Sequence, residues 1–282
     1  MLVTAERPGP VQIAKRAWDS VRQALPWIKP LLLIAFALIV GLDIAIWLLR
    51  SALNIPTDNA LDAMAKSSTG LSVAASMPAI GLDAVKVLAQ ALITAPVAVA
   101  IHRFILLGEI RRVDPLSRLT LHFAAWIFAF DILVSAFNWA LRFLHAMSDG
   151  MQWGLIILLI NFFIFIIRIT LLYPGVAVGE ASEGAYRRLD IAFRRSSGMF
   201  WLMIGSLVLT LLPAFALAML AAFIVAFVNI ALGLVSTSIV MQVWFNLFGI
   251  FAIALAAAVA SYLYSYAAHR AADPDASHSL SP

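Results

Sequence analysis

The sequence has few charged residues and no cysteine. Asp, Glu, Lys and Arg make up 12% of its 282 residues, against about 25% in a typical soluble domain. The lack of cysteine excludes a disulfide framework and a thiolate metal site. The apolar runs do not alternate with polar residues, which argues against the strands of a membrane barrel. The mean hydropathy of +0.97 argues against a soluble fold.

The sequence contains six long apolar runs. They cover residues 30–49, 82–107, 119–141, 153–173, 200–229 and 240–267. A helix needs about 20 predominantly apolar residues to cross the hydrocarbon core of a bilayer, and each run satisfies this length. We therefore predict an all-α fold, a polytopic transmembrane helical bundle of about six spans within residues 30–268.

The basic residues lie mainly on one side of the predicted spans. All but four precede span 1, follow span 6, lie between spans 2 and 3 or spans 4 and 5, or fall near the inner ends of spans 2 and 4, as Arg103 and Arg168 do; the four exceptions are Arg50, Lys66, Lys86 and Arg142. Cytoplasmic loops collect Lys and Arg. This distribution predicts that the N-terminus and the C-terminus are both cytoplasmic, which agrees with an even number of spans.

The segment before span 1 has an apolar stripe at helical spacing. Ile13 and Val21 belong to the stripe, and the opposite face is basic. We predict that residues 1–29 are a cytoplasmic amphipathic segment whose helix lies in the headgroup plane; a plain extension of span 1 is the alternative. Residues 51–81 are predicted to form an outer loop, and residues 269–282 a disordered cytoplasmic tail.

One basic spacing occurs three times, before spans 1, 3 and 5. Each copy has a basic pair followed six residues later by an arginine, starting at Lys15, Arg111 and Arg187. The pattern predicts three helical hairpins, each entered through a basic interfacial helix that contacts anionic lipids. Chance is the alternative, because cytoplasmic loops are rich in arginine. The candidate lipid contacts are Arg16, Arg22, Arg112, Arg118, Arg188 and Arg194.

Three of the ionisable residues inside the spans, where charge is costly, are candidates for a role within the membrane. Asp131 lies near the middle of span 3 and Arg168 in the inner third of span 4, so the two could pair across a hairpin. Asp43 lies in the outer half of span 1, within reach of Lys86 at the outer end of span 2. Structural pairing is the favoured interpretation, and a proton or ion relay through Asp43 and Asp131 is the alternative.

A cluster of polar residues also lies at the inner end of span 2. His102 and Glu109 are seven residues apart and share a helix face, while Arg103 and Glu109 could clamp the final turns. A metal or acid–base role for His102 and Glu109 is one hypothesis. However, the sequence has no HExxH, nucleotide-binding loop or nucleophile elbow. We assign no catalytic, cofactor-binding or metal-binding residue, and expect the lipid bilayer and other membrane proteins as partners, with no nucleic acid.

Three segments carry a resemblance to a known group of proteins. The stretches AIHRFILLGE, RITLLYPGVAVGE and AYRRLDIAFRRSSGMFW resemble those of bacterial six-span inner-membrane proteins. That group is similar to the membrane domain attached to some glycerophosphodiester phosphodiesterases. The resemblance implies a multi-pass protein of the bacterial inner (plasma) membrane without enzymatic activity. No phosphodiesterase activity carries over, because the chain has no counterpart of the attached catalytic domain.

Three functional hypotheses follow. The first is a non-enzymatic membrane protein that organises lipid or helps partner membrane proteins. The second is a small transporter or channel-like protein whose path is lined by Asp43, Asp131, Pro213 and Arg168, which predicts a cavity that contains Asp131. The third is an enzyme that acts on lipid headgroups, which predicts that His102 and Glu109 open to one pocket.

Overall fold

The fold is helical throughout the part of the chain that can be described. The computed structural model describes residues 8–55, 73–110, 113–145, 152–179, 185–231 and 237–272, and these residues contain no strand. The helices are α1 (Pro10–Ala52), α2 (Val73–Leu107), α3 (Arg118–His145), α4 (Gln152–Ile169), α5 (Leu172–Ala177), α6 (Ala185–Ser196), α7 (Phe200–Ala231) and α8 (Thr237–Ala272). The predicted all-α fold is confirmed.

Six of the described segments are long and apolar enough to cross a membrane. They are Pro10–Ala52, Met77–Leu107, Arg118–Ala140, Ile157–Ala177, Phe200–Val228 and Val243–Arg270. Large apolar side chains on their outer faces, such as Leu33, Phe223 and Phe227, are exposed. Apolar surface of this extent is rare on soluble monomers but suits contact with acyl chains. The chain is therefore a multi-pass integral membrane protein, as predicted.

The centre of the bundle is formed by α1, α2, α7 and α8. Helix α8 packs against the other three, and α1 also contacts α2 and α7. Alanines of α8 lie in this core, with Ala254 and Ala258 fully buried. Small side chains allow backbones in a membrane to approach closely, and this close packing provides much of the attraction between helices.

The remaining helices surround this core. Helix α3 packs on α2, and its Phe137 ring stacks on Phe162 of α4 with centroids 4.2 Å apart. Helix α4 otherwise contacts α6 and α7, whereas α5 fits among α2, α3 and α8. The break between α4 and α5 falls at Thr170 and Leu171. Pro174 lies in the first turn of α5, where its missing N–H costs no helical hydrogen bond.

The amphipathic segment before span 1 differs from the prediction. Residues 10–52 form one continuous helix, and the stripe that includes Ile13 and Val21 is buried in the protein core. The Nε1 of Trp18 donates to the Thr210 carbonyl at 3.2 Å. The segment is therefore continuous with span 1 and packs on α7 and α8, so its apolar stripe faces protein. Helical periodicity identified the buried face but not what covers it.

The three basic segments have no common structure in the described residues. The first lies inside α1, and the third forms the separate helix α6. The second ends in a non-helical stretch at residues 113–117, and its Arg111 and Arg112 lie outside the described residues. Of the predicted outer loop, residues 56–72 lie outside the described part, and α2 already begins at Val73. Residues 273–282 of the predicted tail also lie outside it.

Candidate functional site

A cavity of about 500 Å³ lies between α2, α3, α5 and α8. This volume is in the range of small-molecule binding sites, which is about 300–1,000 Å³. Most of the lining is apolar. The polar lining side chains are Gln90, Thr94, His102, Asp131, Thr170, Tyr173 and Asn246. Because all four helices belong to or adjoin the membrane spans, the cavity is inside the transmembrane bundle.

Asp131 of α3 lines this cavity and is only partly buried. Within the described residues its carboxylate has no hydrogen bond or ion pair. The predicted pair with Arg168 is not formed: the Arg168 guanidinium lies 6.0 Å from the centroid of the Phe193 ring on α6. The pairing fails because this part of α4 faces α6 and not α3. A carboxylate in a span without a protein partner usually faces a water-filled path or a ligand.

Two more polar groups of the lining have no partner in the described part of the chain. They are the side-chain amide of Gln90 and the hydroxyl of Tyr173. By contrast, the hydroxyls of Thr94 and Thr170 donate to carbonyls one turn earlier in their own helices, at 2.8 and 3.1 Å. Since buried polar groups are normally hydrogen-bonded, the Asp131, Gln90 and Tyr173 side chains are the ones available to a bound molecule.

His102 of α2 is fixed at the wall of the cavity. Its Nδ1 lies 2.7 Å from Ser261 Oγ, and that hydroxyl donates its proton to the Ala257 carbonyl at 2.9 Å. His102 Nδ1 must therefore be the donor, which leaves Nε2 of a neutral imidazole as an acceptor. Sequence reasoning did not foresee the Ser261 contact, because it joins two helices far apart in the chain.

Glu109 does not share the cavity with His102. The chain turns at Gly108, which has a φ of +66°, and Glu109 then accepts bonds from Arg103 at 2.6 and 2.9 Å. The predicted clamp between Arg103 and Glu109 is confirmed. The predicted pocket with both His102 and Glu109 is not formed, because His102 is buried against α8 while Glu109 folds back on its own helix.

Aromatic rings form one wall of the cavity beside Asp131. Phe123 and Phe130 of α3 approach Tyr173 of α5 with centroid distances of 5.6 and 6.3 Å. Phe245 of α8 also lines the cavity. Sequence reasoning missed this cluster. The signal was present on α3, where Phe123, Phe130 and Asp131 follow the seven- and eight-residue spacing of one helix face.

Asp43 lies behind the cavity and is paired. Its carboxylate lies 2.8 Å from Lys86 Nζ, which confirms the predicted pair, and accepts a bond of 2.7 Å from the Asn246 amide. Asn246 lines the cavity, whereas Asp43 does not. The placement of Asp43 and Arg168 directly in a solute path is therefore wrong for the described cavity, and Asp131 alone of the three faces it.

The candidate lipid-contacting arginines are mostly exposed. Arg16, Arg22, Arg118 and Arg194 are exposed, and Arg194 pairs with Asp190 at 2.9 Å. Arg188 is half-buried and donates to His122 Nε2 at 2.8 Å. Arg112 lies outside the described residues. In the six described stretches of the chain, no group of three or more His, Asp or Glu side chains could hold a metal ion.

Comparison with known proteins adds no family assignment. The chain matches no protein-family model, no curated protein and no solved structure. The resemblance to the diesterase-linked membrane domain therefore stays a prediction.

Proposed function

We propose that this integral membrane protein binds a small solute in the cavity beside Asp131 and carries it across the bilayer. The observation that supports the proposal is the Asp131 carboxylate, which faces a cavity of about 500 Å³ without a partner among the described residues. Transporters typically hold their substrate near the middle of the bilayer, at a site lined by several helices.

In this proposal, two sets of helix contacts near the cavity act as the barriers that transport requires. At one end, α5 packs against α2, α3 and α8. Near the start of α8, Asp43 connects α1 to Lys86 of α2 and to Asn246 of α8. Alternating access requires a barrier on each side of a central site, with only one open at a time. Separation of the Asp43 cluster or movement of α5 would each open the site.

The lysine and arginine distribution orients the protein in this proposal. Basic residues collect in the first half of α1, between α2 and α3, and between α4 and α7. Together with the predicted resemblance, this distribution supports a protein of the bacterial inner membrane with both termini cytoplasmic. We assign it no enzymatic activity, since His102 and Glu109, the pair that favoured headgroup chemistry, lie apart.

Contact with anionic lipid is a second candidate function. It is favoured by the exposure of Arg16, Arg22 and Arg118, which belong to segments that six spans bring to one side of the membrane. Basic residues near the surface attract anionic headgroups. This function is compatible with transport, because the arginines and the cavity are separate parts of the structure.

Flux measurements test the transport proposal. The purified protein is reconstituted into liposomes, and uptake of a panel of cations and small polar solutes is compared for wild type, Asp131→Asn and Asp19→Asn. Asp19 is an exposed carboxylate far from the cavity lining, and is the matched control. We expect at least one solute whose flux falls about tenfold or more in Asp131→Asn only. Equal flux in all three proteins, or none in any, would contradict the proposal.

A further inference from the structure

We infer that the cavity takes an organic ammonium ion, an amine or quaternary ammonium with apolar substituents, whose charge lies beside Asp131 and the aromatic wall. This inference rests on the proposed function, because it names the ligand class for the same cavity. Its features are one carboxylate, a cluster of aromatic rings and a largely apolar remainder. Each feature excludes a different class of ligand.

The charge of the lining excludes anions. Among the described residues that line the cavity, Asp131 is the one that carries a full charge. None of the described lining residues is Lys or Arg; Arg168 lies over Phe193, and Lys86 pairs with Asp43. An anion would therefore approach a carboxylate with no compensating cation at low dielectric, where repulsion is strong. A cation would instead supply the partner that Asp131 lacks.

The size and the apolar lining argue against a bare metal ion. Hard cations bind through about six oxygen ligands at short distance, and their sites are compact. Here a volume of about 500 Å³ is bounded largely by side chains such as Ile127, Phe130, Phe245 and Ile253. Such a lining gains free energy by covering the apolar groups of an organic ligand. The ligand is therefore a cation with hydrocarbon attached to it.

The aromatic wall selects the ammonium group. The ring of Tyr173 lies 5.6 Å from Phe123 and 6.3 Å from Phe130, and all three line the cavity together with Asp131. Ring faces attract organic cations, and clusters of such rings are used to recognise quaternary ammonium groups. The acceptors at Gln90 and His102 Nε2 add sites for the N–H groups of an amine.

An ammonium group of this kind has two sources. One is a soluble amine, and the other is the headgroup of a phospholipid such as phosphatidylethanolamine, whose acyl chains would lie along the outer faces of the helices. The chemistry recognised by Asp131 and the rings is the same in both. Competition by lipid distinguishes the two sources, because only the second predicts that the headgroup displaces a soluble probe.

Binding of benzyltrimethylammonium provides the test. Calorimetry on the full-length protein in phosphatidylglycerol nanodiscs compares this probe with benzenesulfonate, an anion of similar size. We expect saturable binding of the cation only. Binding should weaken about tenfold or more in Asp131→Asn and stay unchanged in Asp19→Asn. Nanodiscs that also contain phosphatidylethanolamine weaken the apparent affinity if a lipid headgroup is the natural ligand, and leave it unchanged if a soluble amine is.

A matched pair of variants separates the ring of Tyr173 from its hydroxyl. Tyr173→Phe keeps the ring and should retain most of the affinity, whereas Tyr173→Leu keeps an apolar side chain without a ring and should lose it. Each variant is first shown to be monodisperse with a thermal midpoint near that of wild type. Absence of saturable binding, equal binding of the anion, or unchanged affinity in Asp131→Asn would overturn the inference.

The outcomes for ligand class and for transport are distinguishable. If ammonium probes do not bind but another solute shows flux that depends on Asp131, the ligand class is wrong and the transport proposal stands. If ammonium probes bind in an Asp131-dependent manner but neither they nor other solutes cross the liposome membrane, the ligand class stands and the transport proposal fails.

Discussion

The side-chain amide of Asn246 on α8 donates a hydrogen bond of 2.7 Å to the Asp43 carboxylate on α1. The same carboxylate lies 2.8 Å from Lys86 Nζ on α2, so three helices meet at one negative charge. Asn246 lines the cavity and Asp43 does not. Separation of α1 from α2 or from α8 at this end would therefore break a contact of Asp43.

Replacement of Asp43 by Asn should destabilise the protein. The Asp43 side chain is 12% exposed and that of Lys86 is 31% exposed, so the ammonium would lose its counter-charge in a partly buried position. Breaking a fully buried pair costs roughly 3–5 kcal/mol, and partial exposure of Lys86 should reduce this to about 1–3 kcal/mol. The measurement is the thermal midpoint of the purified protein in a neutral detergent.

A double variant shows whether the charge pair is the cause. Asp43→Asn combined with Lys86→Gln removes both charges, and should recover part of the midpoint lost by Asp43→Asn alone. Asp19→Asn, at an exposed position of the same helix, should leave the midpoint unchanged. A double variant no more stable than Asp43→Asn alone would mean that the Asn246 bond, and not the ion pair, holds this end of the bundle.

The end of α2 depends on a left-handed glycine. Gly108 has a φ of +66°, its N–H donates to the Phe104 carbonyl, and the next N–H donates to the Arg103 carbonyl. The bond from Gly108 to Phe104 is that of an αL cap, and the turn brings Glu109 back to Arg103. Gly108→Ala should lower the free energy of unfolding by about 1 kcal/mol, because the left-handed conformation is unfavourable for a residue with a Cβ atom. Differential scanning fluorimetry detects the resulting fall in midpoint.

Gly81 offers a matched control for this substitution. Neither Gly81 nor Gly108 has an atom within 4 Å of an added Cβ, but Gly81 has ordinary helical backbone. Gly81→Ala should therefore be neutral or stabilising by up to about 1 kcal/mol. Equal effects of the two substitutions would show that the positive φ of Gly108 does not matter for stability.

Two of the three polar pairs could be predicted from sequence. Arg103 and Glu109 are close in the chain. Asp43 and Lys86 lie near the outer ends of consecutive spans, so the lengths of the two helices were enough to predict that their side chains are close. The pair of Asp131 with Arg168 failed because it required two consecutive helices to face each other along their whole length. Helix α4 instead packs against α6 and α7. These contacts are between residues far apart in the chain, so the sequence pattern of α4 does not show them.

The cavity itself could not be predicted from the hydropathy pattern. Ile13 and Val21 are buried in protein, while Leu33 and Leu38 of the same helix are exposed on its outer face. Lipid tails and protein core are both apolar, so in a membrane the pattern of apolar residues does not separate the two environments. The position of Tyr173 opposite α3 also depends on the break between α4 and α5 at residues 170–171.

Removal of three arginines should weaken contact with anionic lipid. The combined change of Arg16, Arg22 and Arg118 to Gln takes away exposed charge. Each basic residue near the surface contributes about 1 kcal/mol, so retention of phosphatidylglycerol should fall by about tenfold or more. Native mass spectrometry of the detergent-purified protein counts the bound lipids. The triple Arg→Lys variant keeps the charge and should retain them; equal loss in both variants would point to a structural effect of the substitutions.

Replacement of Asp131 should have the opposite effect on stability from that of Asp43. The Asp131 carboxylate has no partner among the described residues, so Asp131→Asn removes a charge from an apolar bundle without breaking a bond. We expect the thermal midpoint to stay or to rise, with a gain of up to about 2 kcal/mol. Ligand-binding residues commonly lower the stability of the free protein, because the group that recognises the ligand has no partner when the ligand is absent. If Asp131→Asn lowered the midpoint as much as Asp43→Asn, Asp131 would be a structural pairing residue, and the cavity would lose the charge on which its proposed function depends.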